Sequence, residues 1–170
     1  FDRPAGQAWT PYVLMTEILE TCRSIDEVET ILNKTQRTGG MLIFAAQMEN
    51  DAALIECAPK MAVRTNLTGS FLAGSNHYQR LATPQPPEDY ASNSVKRLEA
   101  MHRLLSTLPK QTSSEDLIAI LADPDIEQHQ VDYGTVYSNL ICLAQRELWF
   151  TFGGFPAASR GNWQKMPWPW

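Results

Sequence analysis

Two short clusters carry side chains whose types and spacing suit chemistry. The first is Gly74-Ser75-Asn76-His77-Tyr78, at the exit of an apolar segment. An asparagine amide and an imidazole at a strand exit can face a cleft, and an Asn side-chain NH2 can donate to an oxyanion. The structural alternative is a turn in which Asn76 bonds its own backbone. The second cluster is Asn93-Ser94-Val95-Lys96-Arg97. Ser94 suits a helix N-cap, which puts Arg97 in the first turn, where a cation opposes the helix dipole. A carboxylate partner or an anionic ligand would supply a reason for it; an exposed arginine is the alternative.

Other chemistry is missing. The sequence holds no GxSxG elbow, Walker loop, HExxH or GxGxxG. His77, His102 and His129 are scattered, and the last two read as solvated. Glu115-Asp116, Asp123 and Asp125 read as helix-end charges. Cys22, Cys57 and Cys142 are odd in number, widely spaced and without a CxxC. Buried reduced thiols are expected, rather than a disulfide framework or a zinc site. No metal and no organic cofactor is implied.

The elements that must position these clusters follow from periodicity. From Thr10 to about Arg23, Val13, Leu14, Ile18 and Leu19 recur at helical spacing, with Cys22 a turn further; Thr10 suits the cap and Pro11 the first position. Ser24-Ile25-Asp26-Glu27 reads as a capping box for a second helix ending near Lys34, with Val28, Ile31 and Leu32 inward. Gly39-Gly40 breaks the chain. Met41 to Gln47 reads as a strand buried on both faces. A turn at Glu49-Asn50-Asp51 follows, then strands over Ala52–Ala58 and Lys60–Thr65, split at Pro59, and a fourth over Ser70–Ser75.

Residues 79 to 93, with Pro84, Pro86 and Pro87, read as a surface loop. Ser94 is expected to open a helix with Val95, Leu98, Met101, Leu104 and Leu105 on one face. Ser113 or Ser114 caps another, with Leu117, Ile118 and Leu121 inward, closed by Asp123-Pro124. Gly134–Ala144 and Glu147–Phe152 read as a hairpin of two long strands. The Trp-rich tail from Gly153 to Trp170 reads as irregular. Two helices, four strands, two helices and two strands make an α+β fold in one domain over residues 1–170.

Composition narrows the function classes. The 170 residues are 44% hydrophobic and carry 16 aromatics, which excludes disorder. The formal net charge of −5 argues against a nucleic-acid or anionic-membrane binder. No apolar run reaches the ~18 residues of a transmembrane helix. No signal or transit peptide is recognisable, so the cytoplasm is favoured and the compartment stays open. Two glycosylation-type triplets, Asn33-Lys34-Thr35 and Asn66-Leu67-Thr68, carry little weight without other signs of secretion.

The two clusters, in this order, also carry a resemblance. With Thr10-Pro11, Ser24-Ile25-Asp26-Glu27-Val28 and Leu54-Ile55-Glu56-Cys57-Ala58-Pro59 before them, and Gly134-Thr135-Val136-Tyr137-Ser138 and Leu148-Trp149-Phe150 before Gly153-Gly154 after, the chain resembles one known family. This is the C-terminal part of the isopenicillin-N acyltransferase-like enzymes, autoproteolytic N-terminal-nucleophile (Ntn) hydrolases related to choloylglycine hydrolase and acid ceramidase. The resemblance implies a share of a four-layer αββα sandwich, two antiparallel sheets between helical layers. It implies cleavage of linear amides, or acyl transfer, by a cysteine freed at a chain N-terminus. The α-amine of that cysteine, which titrates near ~7.7–8.0 when unperturbed, would act as base.

By the same resemblance Asn76 matches the oxyanion-stabilising asparagine and Arg97 an arginine that shapes and polarises the site. His77 and Tyr78 belong to the motif and are expected to contact substrate. The family's nucleophile lies upstream of the matching stretch, and Phe1 has no nucleophilic side chain. The expected partners are therefore an upstream segment or companion chain bearing the cysteine, and a small-molecule amide or acyl substrate. The isolated chain is expected to be inactive. The alternative is a noncatalytic ligand- or partner-binding module derived from that fold, with the Trp163–Trp170 tail as a contact surface.

Overall fold

A computed structural model describes residues 8–48, 51–82 and 88–168, with side chains omitted for 88–91. The elements run α1 (Pro11–Thr21), α2 (Ile25–Lys34), β1 (Met41–Gln47), β2 (Asp51–Ala58), β3 (Met61–Asn66), α3 (Glu88–Ser106), α4 (Ser114–Leu121), β4 (Asn139–Cys142), β5 (Glu147–Phe152), α5 (Ala157–Arg160) and β6 (Asn162–Met166). This is a mixed α+β chain with two antiparallel sheets, β1-β2-β3 and β4-β5-β6. It divides into two compact units, Phe1–Ala91 and Ser92–Trp170. Among the described residues no helix is long and apolar enough to cross a membrane.

In the first unit the side chains of a strand alternate between faces. Ile43, Ala53, Ile55 and Cys57 fall on one face, and Leu14, Ile18, Ile25, Val28 and Leu32 of α1 and α2 pack against them in one core. Both helices form where the apolar spacing places them, but of the expected α1 stripe only Leu14 and Ile18 are buried, while Val13 and Leu19 face outward. Pro11 opens α1, although the Thr10 side chain makes no cap bond. At α2 the Ser24 hydroxyl accepts from the Glu27 amide. The Glu27 carboxylate reaches back one residue further than a capping box requires and accepts from the Arg23 amide. Arg64 on β3 binds Asp26 and Glu29, tying the sheet to α2.

Several expectations change. The strand buried on both faces is β2, not β1, because β2 is central; Phe44 on the edge strand β1 is 54% exposed. Ser70–Ser75 is not a strand. It crosses the face opposite α1 and α2 instead: a Cβ on Gly74 would come within 2.9 Å of the Phe44 ring and 3.4 Å of Leu42. The helix expected to open at Ser94 opens at Glu88, where two acidic residues after Pro86-Pro87 suit a first turn. Ser94 is therefore a fully buried mid-helix residue, and Arg97 lies in the helix interior.

In the second unit Ser113 and Asp116 form a reciprocal capping box on α4, as expected of the first of the two candidate serines. The long strand expected over Gly134–Ala144 shrinks to β4. Its first residues are engaged elsewhere: Gly134 bridges His129, the Thr135 amide donates to Gln128 O and Thr135 O accepts from Ala157. The tail is not irregular. α5 and β6 occupy it, and β6 completes the sheet beside β5. Gly153 and Gly154 turn the chain between them at φ of 64° and 72°. The turn expected at Glu49-Asn50, the prolines at 84, 86 and 87, and Trp170 lie outside the described residues.

Candidate functional site

The segment that carries Asn76 is fastened to the end of β2. Glu56, only 1% exposed, alternates with Ile55 and Cys57 of the core and so lies on the face of the sheet opposite α1 and α2. Its carboxylate accepts four hydrogen bonds from three consecutive amides: Gln79 at 2.8 Å, Arg80 at 3.1 and 2.9 Å, and Leu81 at 2.8 Å. The next residue of β2 makes the second tie, since Cys57 O accepts from the Tyr78 hydroxyl. Gly40 leaves room for that hydroxyl, because a Cβ there would lie 2.0 Å from it. A third tie closes the segment on itself, with Gln79 Nε2 donating to Ala73 O at 2.9 Å. Ser75 is buried, Asn76 is exposed at the bend, and His77 and Tyr78 are half-buried.

Burial pushes the Tyr78 hydroxyl above its ordinary pKa; Cys57 and Glu56 add to this, and Arg37 opposes it. The phenol therefore stays protonated and able to donate. The Cys57 thiol, wholly buried, is pushed up to about 11, first by burial; Arg37 lowers it and Glu56 raises it. Burial likewise raises Cys22. A neutral buried thiol is a poor nucleophile, and Cys57 is a packing residue of the core. All three cysteines are free.

Sequence reasoning assigned no role to two charged residues here. Glu56 lay inside a matching motif, and its signal was a carboxylate in the middle of an otherwise apolar strand. Arg37 is also 1% exposed, and its guanidinium donates to the carbonyls of Leu32, Thr35, Ala58 and Met61. It fastens the C-terminus of α2 to the β2–β3 turn, and a cation at a helix C-terminus also complements the dipole. A basic residue just before the Gly39-Gly40 break was its signal.

Arg97 sits in the second unit. Its Nε donates to Asn93 Oδ1 at 2.9 Å, one helical turn back. Asn93 Nδ2 donates to Gln128 Oε1 at 3.0 Å, and Gln128 Nε2 to Ile126 O at 3.2 Å. This chain of bonds orients Arg97 in a cleft of about 570 Å³ lined by Asn93, Lys96, Arg97, Arg103, Glu127 and Gln128 among others. Glu127 is buried and accepts from the Ala158 and Ser159 amides at 2.6 and 3.1 Å, pinning the start of α5. Arg103 pairs with Asp125 at 2.8 Å. The cluster Asn76-His77-Tyr78 thus belongs to the first unit and the cluster Asn93–Arg97 to the second. Among the described residues no group of three or more His, Cys, Asp or Glu side chains is placed to hold a metal ion.

The family model for acyl-coenzyme A:6-aminopenicillanic acid acyl-transferase matches residues 10–157, a stretch that holds both clusters. No curated protein and no solved structure matches the chain. With most of its length under that match, the chain belongs to the acyl-coenzyme A:6-aminopenicillanic acid acyl-transferase family, the isopenicillin-N acyltransferase-like branch of the Ntn hydrolases.

Proposed function

We propose that the chain, residues 1–170, is the C-terminal portion of one Ntn domain, an αββα sandwich, that hydrolyses linear amides or transfers their acyl groups. The nucleophile is a cysteine at the N-terminus of an upstream segment or companion chain. Its thiol, deprotonated by its own α-amine, attacks the amide carbonyl. Asn76 Nδ2 donates to the oxyanion of the tetrahedral intermediate. Collapse breaks the C–N bond, the leaving amine takes the proton held by the α-amine, and a thioester remains. Water or an acceptor amine, giving a proton to the α-amine, then attacks the thioester carbonyl; the C–S bond breaks and the departing thiolate takes that proton back. Arg97, oriented through Asn93 and Gln128, shapes and polarises the site. His77 borders the substrate, and Tyr78, whose hydroxyl is engaged on Cys57 O, offers it the ring.

The observation that carries this reading is the family match over residues 10–157. The fastening of the Asn76 bend supports it, because an oxyanion donor must be held in place before charge develops. The test is Asn76→Ala in the enzyme complete with its cysteine-bearing segment, assayed on a linear amide. kcat is expected to fall about 10²–10³-fold. A loss under about threefold removes the oxyanion assignment.

A further inference from the structure

We propose that Glu56 is a positioning residue, whose carboxylate holds the bend that presents Asn76; this rests on the oxyanion reading of Asn76. Three observations converge on it. First, the four hydrogen bonds from Gln79, Arg80 and Leu81 engage both carboxylate oxygens, so they fix the direction of the backbone as well as its distance. Second, those amides begin three residues after Asn76, and the Tyr78 bond lands on Cys57 O, the residue next to Glu56 in β2. Two adjacent residues of one strand therefore hold the exit of the bend, while Gln79 Nε2 on Ala73 O closes its entry. Third, the anchor stands on β2, the central strand of the sheet, paired on both sides and buried on both faces.

The chemistry of the side chain is specific. A glutamine has one acceptor oxygen and would turn its NH2 against a backbone N–H. An aspartate keeps both oxygens but falls one methylene short and would draw the segment toward the strand. Burial of a carboxylate among Ala, Leu, Ile and Cys is costly in itself, and an apolar residue would fill the space at less cost. What an apolar residue cannot do is hold three amides in a fixed geometry. A displacement near 1 Å of a catalytic donor can cost on the order of 10²-fold in rate.

The test is a double-mutant cycle in the complete enzyme, with rates normalised to titrated active sites. Glu56→Asp is expected to lower kcat about tenfold while KM moves less than threefold, and Glu56→Gln to lower it further. In an Asn76→Ala background Glu56→Asp is expected to cost less than twofold more, because the donor it positions is gone. The same loss in both backgrounds, or an unchanged kcat with only a lower melting temperature, overturns the positioning role and leaves Asn76 standing. If Asn76→Ala alone leaves kcat within threefold, the oxyanion reading falls, and the role of Glu56 falls with it. Should Glu56→Gln fail to fold, the charge-retaining Glu56→Asp enzyme decides alone.

Discussion

The two units use the same motif in different surroundings. Each is built on a three-stranded antiparallel meander, and each hangs a segment on a buried glutamate. Glu56 projects from the central strand of its sheet and holds three amides; Glu127 projects from a loop and holds two. Around Glu56 the strand is buried along most of its length, and leucines, isoleucines and a valine fill the core. Among the described residues of the second unit the buried apolar side chains are Ala100, Pro156, Ala157 and Ala158, beside Ser94, Ser138, Thr151 and Glu127. Its central strand β5 buries Thr151 alone. Burying a large aliphatic side chain contributes about 1.5–3 kcal/mol, whereas a typical hydrogen bond nets about 0.5–1.5. The first unit therefore hangs the Asn76 segment by hydrogen bonds from a strand fixed by packing, and the second orients Arg97 by a chain of polar contacts with little packing behind it.

The largest effect should separate the central strands directly. Ile55, fully buried on β2, sits in the core with Leu14 and Leu32; Leu148 on β5 is half-buried. Ile55→Ala should cost about 4 kcal/mol and Leu148→Ala about 1 kcal/mol, since the first leaves a cavity and the second removes side chain that water already reaches. Denaturant unfolding of the whole chain measures both. Equal losses would mean that packing does not distinguish the units.

A smaller effect comes from pH. The core of the first unit disfavours charge, and the Cys57 thiol shows it, raised by burial from 9.0 to about 11. Below pH 9 the thiol is protonated in folded and unfolded chains alike, and its contribution to stability is complete. Between pH 9 and about 11 the unfolded chain releases a proton that the folded chain keeps, so stability falls as pH rises. The loss from this group is on the order of 2 kcal/mol. Tyr78, also raised by burial, acts in the same direction. Cys57→Ala should lower stability at every pH yet show a shallower decline above pH 9. Parallel profiles for the two proteins would mean that the core admits the thiolate.

The same contrast explains what could be read from the sequence. Apolar periodicity and capping residues are local signals, and α1, α2, α4, β2 and β5 follow from them. The α+β class was legible for the same reason. Ser70–Ser75 has the composition of a strand, yet its apolar residues cover a face rather than pair with an edge, a choice made by the sheet below it. The start of α3 was misplaced because Ser94 is a good cap in isolation; its burial at mid-helix is a tertiary fact. Asn76 and Arg97 stand out in the sequence only as members of motifs, and they remain candidates for the site. Glu56 and Arg37 showed as charges out of pattern, and nothing local states that their partners are backbone groups about 20 residues away in sequence.

The smallest effect concerns the helix caps, where the polar contrast between the units reaches single bonds. On α4 the box is reciprocal: the Ser113 hydroxyl accepts from the Asp116 amide at 3.2 Å, and the Asp116 carboxylate accepts from the Ser113 amide at 2.9 Å. On α2 the Ser24 hydroxyl accepts from Glu27 at 3.3 Å, but the carboxylate goes to Arg23 instead. Replacing either serine by alanine removes one acceptor. At α4 it also strips the hydroxyl that bonds the Asp116 carboxylate. At α2 the Glu27–Arg23 bond survives, and Ile25, Val28 and Leu32 still anchor the helix. Ser113→Ala should therefore cost about 1 kcal/mol and Ser24→Ala about half of that, read as shifts in unfolding midpoint. None of the α4 residues is buried, so its cap has no core to fall back on. A larger loss at Ser24 than at Ser113 would show that the packed unit depends on its caps as much as the polar one does.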